Sequence, residues 1–64
     1  MKLHIENMSC SGCARGVTAT IQAIDPNAQV DVDLATKLVT VKTNASVEQI
    51  TTALAEDDFP AQPQ

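Results

Sequence analysis

Aromatic residues are almost absent from this chain, and basic residues are few. The 64 residues include a single aromatic side chain, Phe59, with no Trp and no Tyr. Proteins that bind single-stranded nucleic acids stack bases on aromatic rings, so this composition argues against that function. Four Lys and Arg residues against eight Asp and Glu residues give a formal net charge of −4. That balance argues further against a phosphate backbone as the partner.

Long apolar runs and scattered cysteines are also lacking. No stretch of about 18 apolar residues could span a membrane, and the N-terminal MKLHIENM lacks the apolar core of a signal peptide. The only cysteines, Cys10 and Cys13, form one C-x-x-C unit. A bridge between them would close a very short loop and stabilise the fold by only about 2 kcal/mol. We therefore predict a cytoplasmic protein in which both thiols are reduced.

The length and hydrophobic content predict one small packed domain. Hydrophobic residues make up 44% of the chain, which is enough for a core and argues against disorder. A chain of this length has no room for a deep cleft between two lobes. Residues 1–64 are accordingly predicted to form a single domain whose function resides in a few surface residues.

Three segments alternate apolar and polar residues with the period of a β-strand. They lie around Leu3–Ile5, Val30–Leu34 and Val39–Val41, and the short connection at Ala35-Thr36 predicts that the second and third form a hairpin. The C-terminal Phe59–Gln64 segment contains two prolines, which cannot donate to a sheet ladder. A fourth strand there is predicted to be short, irregular and at the edge of the sheet.

Two other segments have apolar residues at helical spacing. The first runs over Cys13–Ile24 and is ended by Asp25-Pro26-Asn27. The second follows Ser46, which forms a capping-box pattern with Gln49. Glu56-Asp57-Asp58 ends this second helix, although acidic residues at a helix C-terminus oppose the helix dipole.

The element order β-α-β-β-α-β predicts an α+β fold of the ferredoxin-like type. In this arrangement two helices pack on one face of a four-stranded antiparallel sheet. The side chains predicted to face inward are Leu3, Ile5, Met8, Val17, Ile21, Ile24, Val30, Val32, Leu34, Val39, Val41, Val47, Ile50, Leu54 and Phe59.

The C-x-x-C unit is the main candidate for chemistry. Cys10 falls in the small, polar segment Asn7–Gly12, which predicts a loop, and Cys13 falls in the first helical turn. Unpaired N–H groups and the helix dipole favour a thiolate there. Two thiolates without an evident third ligand suit a soft ion of low coordination number, such as Cu(I) or Hg(II). Structural Zn(II) needs four ligands, and His4 is expected on the outer face of the sheet, away from the loop.

The motif and the element order together resemble the heavy-metal-associated domains. Met8-Ser9-Cys10-Ser11-Gly12-Cys13 is similar to the M-x-C-x-x-C metal loop of that family, and the resemblance extends from Lys2 to Phe59. The family includes CopZ-type bacterial copper chaperones and the N-terminal domains of copper-pumping P-type ATPases. The alternating hairpin VDVDLATKLVTV and the ALAEDDF ending are part of the resemblance.

The resemblance implies a role for several residues. Cys10 and Cys13 would bind the metal as thiolates, and Met8 would be a buried apolar tether beneath the loop. Phe59 occupies a position that is often Tyr in bacterial members and Lys in eukaryotic ones, but it offers neither a hydroxyl nor a positive charge. Asn7 replaces the usual Gly before the Met. Arg15, one turn into the first helix, is either a plain surface residue or a cation that offsets the charge of the metal site.

The function predicted at this point is that of a cytoplasmic Cu(I) metallochaperone rather than an enzyme. It would pass copper by thiolate exchange to the metal-binding domain of a copper-transporting P-type ATPase, as a monomer when apo and with a copper-bridged homodimer as a further possibility. Three alternatives remain open. The chain could be the excised N-terminal domain of such an ATPase, a mercury-binding carrier of the same fold, or a thiol-redox protein.

Overall fold

Two helices pack against a four-stranded antiparallel sheet in the computed structural model, which describes residues 1–64. In chain order the elements are β1 (Lys2–Ile5), α1 (Ser11–Ile24), β2 (Gln29–Asp33), β3 (Leu38–Lys42), α2 (Val47–Glu56) and β4 (Ala61–Pro63). The strands lie in the order β2-β3-β1-β4. The predicted ferredoxin-like βαββαβ fold is therefore confirmed. Neither helix is long and apolar enough to cross a membrane.

The sheet register places the C-terminal end of β1 beside the hairpin between β2 and β3. His4 pairs with Leu38, and the Ile5 N–H donates to the Lys37 carbonyl at 2.9 Å. On the other side, β4 pairs with β1 from Ile5↔Ala61 to Leu3↔Pro63. The proline-bearing strand is short and lies at the edge, as predicted, because Pro63 has no N–H to contribute to a central ladder.

The core lies between the helices and the inner face of the sheet. Alternation along β1 and β3 and the apolar stripes of α1 and α2 supply most of it. The buried residues are Leu3, Ile5, Met8, Val17, Ile21, Ala28, Val39, Val41, Ile50 and Leu54. Ile24, Val30, Val32 and Phe59 are half-buried against this cluster. Ala28, which the sequence pattern did not single out, is 5% exposed and packs where the chain enters β2.

Two residues predicted to face inward lie at the surface instead. Leu34 is 36% exposed because the strand ends at Asp33, whose carboxylate accepts from the Ala35 N–H at 3.0 Å and turns the chain out of the sheet. Val47 is 37% exposed because it is the first residue of α2, with no preceding helical turn to cover it. For these two side chains the prediction was wrong.

The ends of the helices are formed by specific caps. Helix α1 begins at Ser11 rather than at the predicted Cys13, because Cys10 is its N-cap. The capping box at Ser46 and Gln49 is confirmed, with reciprocal bonds of 3.1 Å. Helix α2 ends in a Schellman motif, in which the Phe59 N–H donates to the Leu54 carbonyl at 2.8 Å. Asp58 adopts the left-handed conformation that this motif requires, with φ 67°.

Candidate metal centre

Cys10 and Cys13 lie side by side at the N-terminus of α1. Their sulfur atoms are 3.0 Å apart, and both are free thiols. A disulfide would need a separation of about 2.05 Å. Cys10 is exposed and Cys13 is half-buried. The structure therefore brings together the two residues that the sequence analysis selected, within reach of a protein that approaches this end of the molecule.

The N-terminus of α1 provides a hydrogen-bond donor to the sulfur of Cys10. The Cys13 N–H donates to Cys10 Sγ at 3.4 Å, which is how a cysteine serves as the N-cap. The hydrogen bond from the Cys10 thiol lowers the pKa of Cys13 below its ordinary value, and a bond from the Ser9 backbone N–H adds to this. A lowered pKa favours the thiolate, and the thiolate is the form of cysteine that binds metals.

The loop that carries Cys10 rests on a buried methionine. Met8 is fully buried in the core, and its N–H donates to the Ile5 carbonyl at 3.1 Å. The Cys10 carbonyl accepts the first helical bond, from the Ala14 N–H at 3.1 Å. The backbone on either side of Ser9 is thus fixed, which gives the exposed sulfurs a rigid base. The burial expected for Met8 is confirmed.

Residues around the loop join it to the rest of the fold. The Asn7 side-chain amide donates to the Asp58 carbonyl at 3.0 Å, and Lys37 Nζ lies 3.6 Å from Glu6 Oε1. Asn7 is not in the left-handed region. The conformational freedom of a glycine is therefore not needed at this position.

Phe59 packs against α1 in the turn that follows Cys13. A Cβ added at Gly16 would lie 3.4 Å from Cε2 and 3.6 Å from Cζ of the ring, in ordinary van der Waals contact. The ring is half-buried against the core, as predicted. Phe59 thus packs between the end of α2 and α1.

A donor set of two sulfurs suits an ion of low coordination number. With metal–sulfur bonds of about 2.3 Å, two sulfurs on opposite sides of one ion lie about 4.6 Å apart. The separation of 3.0 Å therefore has to increase when such an ion binds, and rotation of the exposed Cys10 side chain can supply that movement. No group of three or more His, Cys, Asp or Glu side chains is arranged to hold a metal ion. This donor set does not match the four ligands of a structural zinc site.

Comparison with known proteins identifies the family. The model of the heavy-metal-associated domain matches residues 2–56, which include the metal loop and both helices. The chain belongs to the heavy-metal-associated domain family. No curated protein matches this heavy-metal-associated domain significantly.

Solved structures closely resemble this heavy-metal-associated domain over its whole length. A gold binding protein is 47% identical, covers 100% of this chain and 98% of its own, and superposes with a TM-score of 0.98. The copper chaperone Atx1 from Synechocystis PCC6803, in a trimeric form, is 34% identical over 97% of this chain and 98% of its own, with a TM-score of 0.94. Oxidized MerP from Ralstonia metallidurans CH34 is 28% identical over 95% of this chain and 89% of its own, with a TM-score of 0.85.

Two other residues considered in the sequence lie apart from the sulfurs. His4 lies on β1, where it alternates with the buried Leu3 and Ile5, and its Nε2 is 3.7 Å from Glu6 Oε2. Arg15 is exposed on α1 and forms no salt bridge. Neither residue belongs to a cluster of metal ligands.

The contact between Asn7 and Asp58 was not anticipated from the sequence. In the sequence, Asn7 stands out only because it replaces the usual glycine, and nothing in the local pattern indicates that its amide reaches a residue 51 positions away. Thr20 is similar, because its hydroxyl lies 2.6 Å from Asp57 Oδ2 and so connects α1 to the end of α2. These are long-range contacts that only the tertiary fold creates.

Proposed function

We propose that this domain is a carrier of Cu(I), held by the thiolates of Cys10 and Cys13. The observation that supports this most strongly is the pair of free thiols, 3.0 Å apart at a helix N-terminus. A soft thiolate pair favours Cu(I) over harder ions, and the absence of a third ligand leaves the ion open to an incoming one. The similarity to a copper chaperone over almost the whole chain adds support.

We further propose that copper leaves by ligand exchange to the metal-binding domain of a copper-transporting P-type ATPase. A thiolate of the partner binds the two-coordinate ion to give a three-coordinate bridge, and one of the original sulfurs then leaves with its electron pair. Copper remains Cu(I) throughout, and no substrate bond is made or broken, so the protein would not be an enzyme. The exposed Cys10 is the sulfur more accessible for this exchange.

Residues 1–64 would act as one metal-binding domain in the cytoplasm, where both thiols stay reduced. It would be a monomer when apo, and a copper-bridged homodimer would form if Cys10 of a second copy served as the third ligand. An excised N-terminal ATPase domain would have the same site. The source open reading frame distinguishes a separate chaperone from an ATPase domain, because only the reading frame of the ATPase continues into a transporter.

Gold is a second candidate cargo, because a gold binding protein has a very similar structure. The gold binding protein shares 47% of residues with this chain and superposes over all of it. Like Cu(I), Au(I) is a soft ion that prefers two thiolates. Mercury is a third soft ion for which the same two sulfurs are suitable donors. Competition of each ion against Cu(I) for the same protein sample ranks them directly.

A Cu(I) competition titration against a chromogenic chelator tests the proposal. The wild-type protein is expected to take one equivalent of copper from the chelator, and the double variant Cys10→Ser/Cys13→Ser is expected to take none. Ser11→Ala is the matched control, because it alters a residue between the two cysteines but leaves both thiols. Equal copper affinity in the wild type and in the double variant would refute the proposal.

A further inference from the structure

The metal loop has one hydrogen bond to a distant part of the fold. Apart from the exposed ion pair between Glu6 and Lys37, the hydrogen bond from Asn7 Nδ2 to the Asp58 carbonyl, at 3.0 Å, is the only polar contact of residues 6–10 that reaches beyond β1 and α1. The remaining bonds of this segment are local, to Ile5, Cys13 and Ala14. The link therefore joins the base of the metal loop directly to the turn between α2 and β4.

The acceptor of this bond is held rigidly. Asp58 is the left-handed residue of the Schellman motif, and its own N–H donates to the Ala55 carbonyl at 3.2 Å. The next residue, Phe59, donates to Leu54 and packs its ring against Gly16. The Asp58 carbonyl is thus fixed by hydrogen bonds and by packing on α1, and it can serve as an anchor.

The bond completes the fixation of the loop at the point where it leaves β1. Met8 is pinned in the core, and the Cys10 carbonyl is bonded to the first turn of α1. Asn7 comes directly before Met8, so its side chain fixes the point where the loop leaves β1. With this bond in place, the backbone that carries Cys10 has little freedom to move away from Cys13.

We propose that Asn7 is a positioning residue for metal exchange, an inference that rests on the proposed function. Transfer requires that one sulfur leave the ion while the other still holds it. A fixed loop keeps the released Cys10 thiolate at a high effective concentration beside the ion, so it rebinds before a competitor arrives. Asn7 therefore slows the loss of copper to competing ligands and strengthens its retention.

The test is the rate at which a chromogenic chelator in excess removes Cu(I), followed by stopped flow. Asn7→Ala and the near-isosteric Asn7→Asp both remove the donor, and removal is expected to become about 2- to 10-fold faster, the range expected for one exposed hydrogen bond. Asn44→Ala is the matched control, because Asn44 is an exposed loop asparagine whose side chain makes no hydrogen bond. It should exchange copper at the wild-type rate.

Two further measurements separate positioning from plain stability and from failure of the proposed function. Backbone amide order parameters of residues 9–12 in the apo-protein should fall in both Asn7 variants and stay unchanged in Asn44→Ala. A contrary outcome is that the Asn7 variants melt at a lower temperature yet keep wild-type exchange rates and order parameters. That result would show that Asn7 contributes only to stability, and it would overturn the inference. If the wild type binds no Cu(I), the proposed function fails. The order parameters are measured on the apo-protein, so unchanged values in the Asn7 variants would overturn the positioning role whether or not copper binds.

Discussion

At the scale of single residues, the two cysteines of the candidate metal centre have different surroundings although their sulfurs lie 3.0 Å apart. Cys10 is exposed and caps α1, whereas Cys13 is half-buried within the first helical turn. Bonds from the Cys10 thiol and the Ser9 N–H lower the pKa of Cys13. The thiolate form is thus favoured at Cys13.

Replacement of Cys10 is expected to raise the pKa of Cys13. Cys10→Ala removes the largest cause of the lowered pKa, whereas Cys10→Ser keeps a hydroxyl donor, so the rise should be clear in the first variant and smaller in the second. Thiolate absorbance in the ultraviolet, recorded against pH on the apo-protein, measures it. If the pKa of Cys13 were the same in Cys10→Ala and in the wild type, this explanation would be contradicted.

The local sequence was sufficient for the residues whose role depends on spacing. Cys10, Cys13 and Met8 were recognised from the M-x-C-x-x-C pattern, and the structure places both sulfurs together above a buried Met8. The link from Asn7 to Asp58 was not predictable, because the acceptor is a backbone carbonyl that comes near only after α2 packs. A backbone carbonyl carries no signature in the sequence.

At the scale of elements, the helix ends determine where the metal loop begins and how it is supported. Helix α2 was predicted well because Ser46 and Gln49 form a recognised capping pair. Helix α1 was predicted to start later than it does, because cysteine is not a usual N-cap and the small polar residues around it indicated a loop. Here Cys10, the proposed metal ligand, also caps a helix.

Loss of the capping box is expected to destabilise the domain. Ser46→Ala removes the acceptor for the Gln49 N–H and should lower the free energy of unfolding by about 1 kcal/mol. Denaturant unfolding of the apo-protein measures this, with Ser11→Ala as the control, since Ser11 caps no helix. An unfolding free energy of Ser46→Ala equal to that of Ser11→Ala would show that the cap contributes nothing.

Asp25 connects the end of α1 to the segment between β3 and α2 and should make stability depend on pH. Its carboxylate accepts from Thr43 Oγ1 at 2.6 Å and from the Asn27 N–H at 3.0 Å. These bonds lower the pKa of Asp25 in the folded state, and the bond from Thr43 has the largest effect. Since the folded pKa lies below the unfolded one, this carboxylate stabilises the fold above the unfolded pKa. The contribution is lost as the pH falls through the folded pKa.

The melting temperature followed through the acid range tests this account of Asp25. Asp25→Asn has no charge to lose, so it should be less stable than the wild type near neutral pH and approach it as the pH falls. Asp31→Asn is the matched control, because Asp31 is an exposed carboxylate on β2. An Asp25→Asn curve parallel to the wild-type curve at every pH would refute the linkage.

At the scale of the whole molecule, the small size and the acidic balance of the chain agree with the proposed role. Ten buried residues are enough to hold a rigid base beneath two sulfurs, and no cleft is needed for ligand exchange. The sheet order and the general position of the core were predictable because the apolar periodicities are regular. The exposed positions of Leu34 and Val47 were not, because periodicity does not reveal where an element ends.

The net charge of −4 predicts how association with a partner depends on salt. A docking partner of complementary charge should present a basic patch, so the rate of copper transfer to it should fall as ionic strength rises. Transfer to a metal-binding domain of a copper ATPase, followed at low and high salt, measures this. Transfer to a small uncharged thiol is the control and should be nearly independent of salt. A rate to the protein partner that rises with salt would exclude an attractive electrostatic contribution.

X-ray absorption of the protein loaded with one equivalent of copper tests the central claim most directly. In the wild type we expect Cu(I) with two sulfur neighbours and no nitrogen or oxygen neighbour, and in Cys10→Ser/Cys13→Ser we expect no bound copper. A nitrogen, oxygen or third sulfur ligand in the monomeric protein, or copper retained by the double variant, would contradict a two-thiolate site formed by Cys10 and Cys13.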